Sequence, residues 1–491
     1  MTTAEGTGVI AEQSHEHSLE RGALGLLDAV VMAVAGSAPA YSIAATTAVI
    51  VAAVGFASPA ALLYCGIPMA GIAIAYHHLN KLGANAGAAY AWVGRVLHPV
   101  LGFISGWALV VSATIFMVAG SLPAGQVTLS LFSQHAAGQI GWVTAVGTVW
   151  FLVMACFVAR GVRITANAQW VMSSIEILLL TVFAVLGLLH SHRVASFSWS
   201  WLGFSHFDGF SGFVAGALIA AFYYWGWDTA SNLGEETEDS ERNSGLGGLV
   251  GVVIVFLLFE VFTIVINMDL PSSKIQNNSS NVLEALGNTL WSGAGGKLLI
   301  IAVALSTVAT LETTLIQVTR SLFSMARERT LPAAFGRLHP AWKTPVFATA
   351  VIACISVVLF VVSNFVGSVG TVLTDAISAI GLQIAIYYGL AGLAAVVAFR
   401  KHLLDSAFNL IFMGAFPLLG AAFMFWIFGE SIPQESFTVN AIGLGAMALG
   451  LIPLGIYLYR GSAFLRERPT LGRARVEAGL APEPAEHVGT A

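Results

Sequence analysis

Two short stretches inside otherwise apolar, membrane-length segments carry backbone that a continuous helix would not release: Gly36-Ser37-Ala38-Pro39-Ala40-Tyr41-Ser42 and Tyr223-Tyr224-Trp225-Gly226-Trp227-Asp228. At bilayer depth such backbone must find partners for its N–H and C=O groups, so it persists only where it lines a protein-enclosed cavity. In the first stretch Pro39 suits the first turn of a new half-helix, with Ser37 placed to cap it. N–H groups around Ser37, Ala38 and Ala40 would then face a ligand from a positive dipole end, where a carboxylate is stabilised. In the second stretch a half-helix is expected to stop between Phe222 and Trp225, leaving carbonyls for an ammonium group. Gly226 permits the unwinding and Asp228 can cap the next half. Phe222, Tyr223, Tyr224, Trp225 and Trp227 supply aromatic walls able to hold a cation. A proline kink and ordinary aromatic packing are the simpler readings of each stretch alone; their pairing in two halves of the chain favours a ligand site.

The ionisable residues expected within spans are Glu176, Asp228, Glu260, Glu312 and Asp375, all acids, while Arg320 lies toward one helix end. Charges at that depth are costly and default to function. An acid-only interior favours a cationic cargo, either a proton or a positively charged substrate group. A protonated carboxyl bonded to a neighbouring helix is the structural alternative for each, above all for Glu260, whose helix is expected at the periphery. Thr313 and Thr314 could offer hydroxyls to sodium. No cofactor or metal is implied: His77 and His78 are adjacent and so do not share a helix face, and Cys65, Cys156 and Cys354 show no ligand spacing.

The elements that must position these residues follow from composition. With 57% hydrophobic and 10% charged residues, far below the roughly 25% charged of soluble domains, the chain reads as an all-α integral membrane protein. Apolar runs of about 20 residues recur about twelve times. Counting them places the two interruptions in helices 1 and 6, the spacing of two five-helix halves plus two further helices, and an odd-numbered repeat must be inverted. The expected organisation is a cytoplasmic tail at 1–22, a first repeat at 23–190, an extracellular loop at 191–209, a second repeat at 210–400, helices 11 and 12 at 401–460, and a disordered cytoplasmic tail at 461–491. With both termini inside, all of the 21 Lys and Arg except Arg193, Lys274 and Lys297 fall on the cytoplasmic side, in line with the positive-inside rule. The N-terminal residues lack a basic region and cleavage site, so span 1 reads as a retained helix in a cytoplasmic-type membrane. Lys81 to Trp92 reads as a short amphipathic interfacial helix. Gly102 with Gly106, Gly212 with Gly216, and Gly247 with Gly251 have the spacing of close helix packing. No basic, aromatic-interleaved stretch points to nucleic acid. The expected partners are a small-molecule substrate and the bilayer, with no obligate protein partner evident.

Phe222 to Asp228 followed by Gly234-Glu235-Glu236-Thr237-Glu238-Asp239-Ser240-Glu241-Arg242-Asn243, the segment Arg320 through Arg327-Glu328-Arg329-Thr330-Leu331-Pro332, and the loop Gly83 to Trp92 together resemble the amino acid–polyamine–organocation superfamily of permeases. The resemblance implies a five-plus-five inverted repeat of the LeuT type working by alternating access. It implies a substrate carboxylate on N–H groups of Gly36, Ser37 and Ala38, and an amine on carbonyls around Phe222, Tyr223 and Trp225, with Phe222 as the occluding aromatic. Pro39 and Tyr41 depart from the small residues usual there. Glu176 stands where some proton-coupled relatives carry a lysine. The candidate substrate residues are thus Gly36, Ser37, Ala38, Tyr41, Phe222, Tyr223, Trp225 and Asp228; the candidates for ion coupling are Glu176, Glu312 and Asp375. The expected function is secondary transport of amino acids or related amines, coupled to protons or by exchange. Polyamine or cationic amino acid exchange is the nearer alternative. A non-transporting amine sensor is the distant one, and neither an appended soluble domain nor a repeated pore loop favours a sensor or a channel.

Overall fold

The computed structural model describes residues 18–278, 281–365 and 369–466; most of the two tails expected from the sequence lies outside them. Among the described residues, ten helical stretches are long and apolar enough to cross a membrane. The first, Leu26–Lys81, runs for 56 residues, against about 20 for one crossing. It comprises α1 (Leu26–Ser37), α2 (Pro39–Val54) and α3 (Ser58–Lys81), with a 3₁₀ turn at Gly55–Ala57 between the last two. Two crossings therefore share this stretch. Where span 6 is expected there is a shorter apolar helix, Gly209–Tyr223, because that span stops at its interruption. The expected twelve crossings are all accounted for in this way.

The helices that follow and matter for the site are α4 (Ala89–Val96), α5 (Pro99–Ser130), α6 (Ile140–Arg160), α7 (Val162–Leu189), α8 (Gly209–Tyr223), α9 (Thr229–Asn232), α10 (Ser240–Asp269), α11 (Ser272–Asn277), α12 (Val282–Leu290), α13 (Gly295–Arg327), α14 (Val346–Ser363) and α15 (Val369–Phe399). The last two long ones are α16 (Ala407–Gln434) and α17 (Phe437–Arg460). The helix α13 is the axis of the bundle. It packs against α1, α2, α5, α6 and α7, and its residues from Ser306 to Ala326 are all buried.

Close backbone approach is supplied where small residues sit. A side chain at Gly247 or Gly251 would run into Ala29 or Ala33 of α1, and one at Gly102 or Gly106 into Gly94 or Tyr90 of α4. Gly216 meets Ala61 of α3, whereas Gly212 has only its own Phe207 and Asp208 nearby, so that pair does not form the expected helix seam. The segment after α3 also differs from expectation. Residues 83–88 are irregular, helix begins only at Ala89, and Ala89 to Gly94 are buried. The indole N–H of Trp92 donates to the Gly83 carbonyl at 2.9 Å, so the loop is folded into the bundle end and is not laid on the membrane surface.

Candidate functional site

The break in span 1 is a single residue. Ala38 adopts φ +48° and ψ +64°, between the end of α1 and the start of α2. A residue before proline is excluded from the right-handed helical region by the ring, and Pro39 then opens α2 as the sequence predicts. Ser37 does not cap it: its hydroxyl donates to the Ala33 carbonyl at 3.2 Å, back along its own helix. In span 6, α8 ends at Tyr223, and the chain turns through Gly226 at φ +99° before the short α9.

The two breaks touch. A side-chain carbon on Gly36 would overlap the Gly226 carbonyl, and one on Gly226 would overlap the Gly36 carbonyl. Beside this backbone contact lies a small cavity lined by Gly36, Ser37, Ala38, Tyr41, Ser42, Phe116, Phe222, Trp225 and Thr310. Its free volume is about 10 Å³, roughly the room one water needs and far below that of a small-molecule site. The site is contracted in this conformation.

Six of the eight candidate substrate residues line the cavity, and two do not. Phe222 lies in the last turn of α8 and Trp225 just beyond it, its N–H donating to the Phe222 carbonyl at 3.2 Å, and both line the cavity, whereas Tyr223 does not. Its ring packs on Phe259 at 4.9 Å and its hydroxyl pairs with that of Thr47 at 2.8 Å. Asp228 caps nothing through its side chain. Fully buried, its carboxylate accepts from the Tyr388 hydroxyl at 2.8 Å and from the Gln317 amide at 2.9 Å.

Of the N–H groups expected to receive a carboxylate, those of Gly36 and Ser37 lie within α1, and those of Ala38 and Ala40 are bonded to the protein. Ala38 N–H donates to the Val34 and Ala35 carbonyls, Ala40 N–H to Glu176 Oε1 at 2.9 Å, and Tyr41 N–H to the Ser306 hydroxyl at 3.2 Å. Glu176 thus sits behind the break, on the N-terminus of α2. Glu312 is elsewhere, accepting from the Gln169 amide at 2.5 Å between α13 and α7. Asp375 is partly exposed on α15 and does not line the cavity. Glu260 is buried on α10, and neither of its carboxylate oxygens has a hydrogen-bond partner among the described residues.

Residues of α13 that no motif singled out join these parts. The Ser306 hydroxyl receives the Tyr41 N–H, Thr310 donates to the Gly36 carbonyl at 2.9 Å, and Gln317 bridges Asp228 and Asn232. One turn further, Arg320 holds Glu236 through two bonds of 3.0 and 2.9 Å, and Ser324 donates to Asn85 at 2.7 Å. The successive intervals of four, seven, three and four put them on one face, and that periodicity in a buried helix is the signal by which Ser306, Thr310, Gln317 and Ser324 could have been found.

Past the cavity, this face reaches a closed end of the bundle. Glu236 is buried with Arg320, and its carbonyl accepts from Ala23 and Leu24 N–H. Glu235 pairs with Arg327 at 2.6 Å and accepts the Ala86 N–H at 2.8 Å. Burial disfavours charge on Glu235, but the Arg327 guanidinium and these hydrogen bonds outweigh it and hold the carboxyl below the ordinary carboxylate range. Arg95 and Glu328 pair at 2.8 Å in the same region.

A family model described as "Amino acid permease" matches residues 24–448, from the end of the N-terminal segment to the middle of α17. The chain belongs to the amino acid permease family. It is a multi-pass membrane permease and not an enzyme. Curated relatives agree with this at low identity. The permease is 24% identical to the methylthioribose transporter of Bacillus subtilis (strain 168), over 78% of this chain and 83% of that one. It is 25% identical to the low-affinity putrescine importer PlaP of Escherichia coli (strain K12), over 61% of this chain and 66% of the relative. With the serine/threonine exchanger SteT of Bacillus subtilis (strain 168) it shares 22%, over 76% and 81%.

Proposed function

We propose that this permease moves an amino acid or a related amine across the cytoplasmic membrane by alternating access, with both termini inside and transport coupled to protons or to exchange. The observation that carries this reading is the contact of Gly36 with Gly226. Broken helices from two parts of the chain meet at one cavity, so movement of either half against the other changes access to the same site. The ion-paired end around Glu235, Glu236, Arg320 and Arg327 is the cytoplasmic gate in this reading, held shut while the cavity is contracted.

Glu176 is the proposed proton site. Its carboxylate accepts from the Ala40 N–H at the start of α2, so protonation would weaken its hold on the half-helix that borders the cavity. Sodium coupling through Thr313 is less favoured, since its hydroxyl is turned back onto the Ala309 and Thr310 carbonyls of its own helix. Uptake into proteoliposomes tests the reading. Accumulation of at least one amino acid or polyamine against its gradient is expected, driven by an inward proton gradient or by counter-substrate. A ligand that binds and is never moved would favour a sensor. Substrate-driven acidification of full size in Glu176→Gln would remove Glu176 from the mechanism.

A further inference from the structure

Every hydrogen-bond donor on the cavity wall is committed to the protein itself. Among the side chains, Ser37 donates to the Ala33 carbonyl, Ser42 to the Ser37 carbonyl at 2.9 Å, Thr310 to the Gly36 carbonyl and Tyr41 to the Ala119 carbonyl at 3.0 Å. The Trp225 indole N–H donates to the Tyr387 hydroxyl at 2.5 Å. Along the break in span 1, the N–H groups of Ala38, Ala40 and Tyr41 are bonded as described, the Ser42 N–H donates to the Ala38 carbonyl at 2.8 Å, and Pro39 has none. No Lys, Arg or His belongs to the lining. A carboxylate is an acceptor only, and at this wall it would find neither a donor nor a counter-charge.

The acceptor side is the reverse. Hydroxyl and carbonyl oxygens that already take part in one bond keep a further lone pair, and the wall presents the hydroxyls of Ser37, Ser42, Tyr41 and Thr310. Four rings close around the same space. Phe116 stands edge-on to Tyr41 at 6.4 Å and to Trp225 at 5.2 Å, and Phe222 lies 6.4 Å from Trp225. Aromatic faces attract a cation and repel an anion. Immediately behind the wall, Glu176 and Asp228 are bonded to neutral donors, the Ala40 N–H, the Tyr388 hydroxyl and the Gln317 amide. Two carboxyl groups thus stand near the cavity without a cationic side chain bonded to them, and a carboxylated cargo would add a third.

We infer that the cargo is an organic amine without a carboxylate, held as an ammonium ion by the aromatic box and the hydroxyl oxygens. This rests on the transport reading and narrows it, because a free amino acid loses the binding of its acid group at the place where the helix-1 break was expected to supply it. Glu176 fills that place from within the protein, its carboxylate bonded to the N-terminus of α2 in the manner expected of a substrate acid group.

The test uses pairs that differ by the carboxylate: cadaverine against lysine, agmatine against arginine, tyramine against tyrosine, phenethylamine against phenylalanine. Binding is read by thermal shift of the purified full-length protein, and transport by uptake into proteoliposomes. In at least one pair the amine is expected to bind at least about tenfold more tightly than its amino acid, a difference of about 1.4 kcal/mol. An amino acid that binds as well as its amine, or better, in every responding pair overturns the inference, and so does silence across all four pairs. The two readings fail separately. An amine that binds and is not moved leaves the inference standing and removes the transporter; an amino acid moved as efficiently as its amine keeps the transporter and removes the inference.

Discussion

Replacing Arg320 by glutamine tests whether the buried ion pair holds the closed end. Arg320 meets Glu236 through two parallel bonds, Nε to Oε2 at 3.0 Å and Nη2 to Oε1 at 2.9 Å, with side chains 0% and 1% exposed. Water cannot screen the carboxylate once the guanidinium is gone, so Arg320→Gln leaves a buried charge without a counter-charge, at a cost of about 3–5 kcal/mol. Glu236→Gln strands the cation and is expected to cost a similar amount. The double variant removes both charges and keeps polar side chains of similar length, so most of the loss is expected to return, with a coupling of about 2 kcal/mol or more in the double-mutant cycle. The main chain supplies a second readout. Because the Glu236 carbonyl receives the Ala23 and Leu24 N–H groups, displacing Glu236 exposes the segment before α1. Thermal unfolding of the four proteins in one detergent, with proteolysis before Leu26, checks both effects. Additive losses in the double variant, or an Arg320→Gln protein within about 0.5 kcal/mol of the parent, would refute the reasoning.

Three further outcomes are expected. Gly36→Ala and Gly226→Ala each force a methyl group into the opposite backbone; both should lower thermal stability by about 1–3 kcal/mol from overpacking and reduce uptake, whereas Gly212→Ala, which meets only its own turn, should leave uptake near the parent level. Thr310→Val removes the bond to the Gly36 carbonyl with little change of shape, so a loss of about 1 kcal/mol is expected in thermal unfolding; no change would mean that this bond does not hold the break. Glu235 titrates below the ordinary carboxylate range in the folded protein, so its stabilisation is complete above the unfolded value of about 4.3 and is lost as pH falls through the lower folded value. The stability gap between the parent and Glu235→Gln should therefore be constant above about pH 5 and shrink in acid; a gap that widens in acid would contradict the assignment.

The candidate site was legible where covalent constraint speaks locally. Pro39 bars the preceding residue from the helix, so the break in span 1 could be placed to within a residue. Gly226 marks the second break by the same kind of local signal, a backbone conformation that side chains resist. Phe222 and Trp225 meet at the cavity through the turn that ends α8, which spacing alone does not specify, and Tyr223 faces away from it. What stayed hidden were the partners. Nothing local to Ala40 indicates that its N–H is taken by a carboxylate 136 residues away, or that Asp228 is claimed by Tyr388 and so is unavailable as a cap.

Composition and hydropathy alone determined a multi-pass helical membrane protein, because burying so apolar a chain in water is untenable and only helices or closed barrels satisfy their backbone in lipid. The order of the breaks followed from counting spans. Only the tertiary structure decided which donors remain free, since hydrogen bonds between helices depend on rotation and depth, which the order of residues does not specify. That difference is visible at span 1, where the Ala40 N–H is bonded to Glu176. A helix end that looked like a receptor for a substrate carboxylate is occupied by Glu176, and the cavity beside it presents aromatic faces and acceptor oxygens.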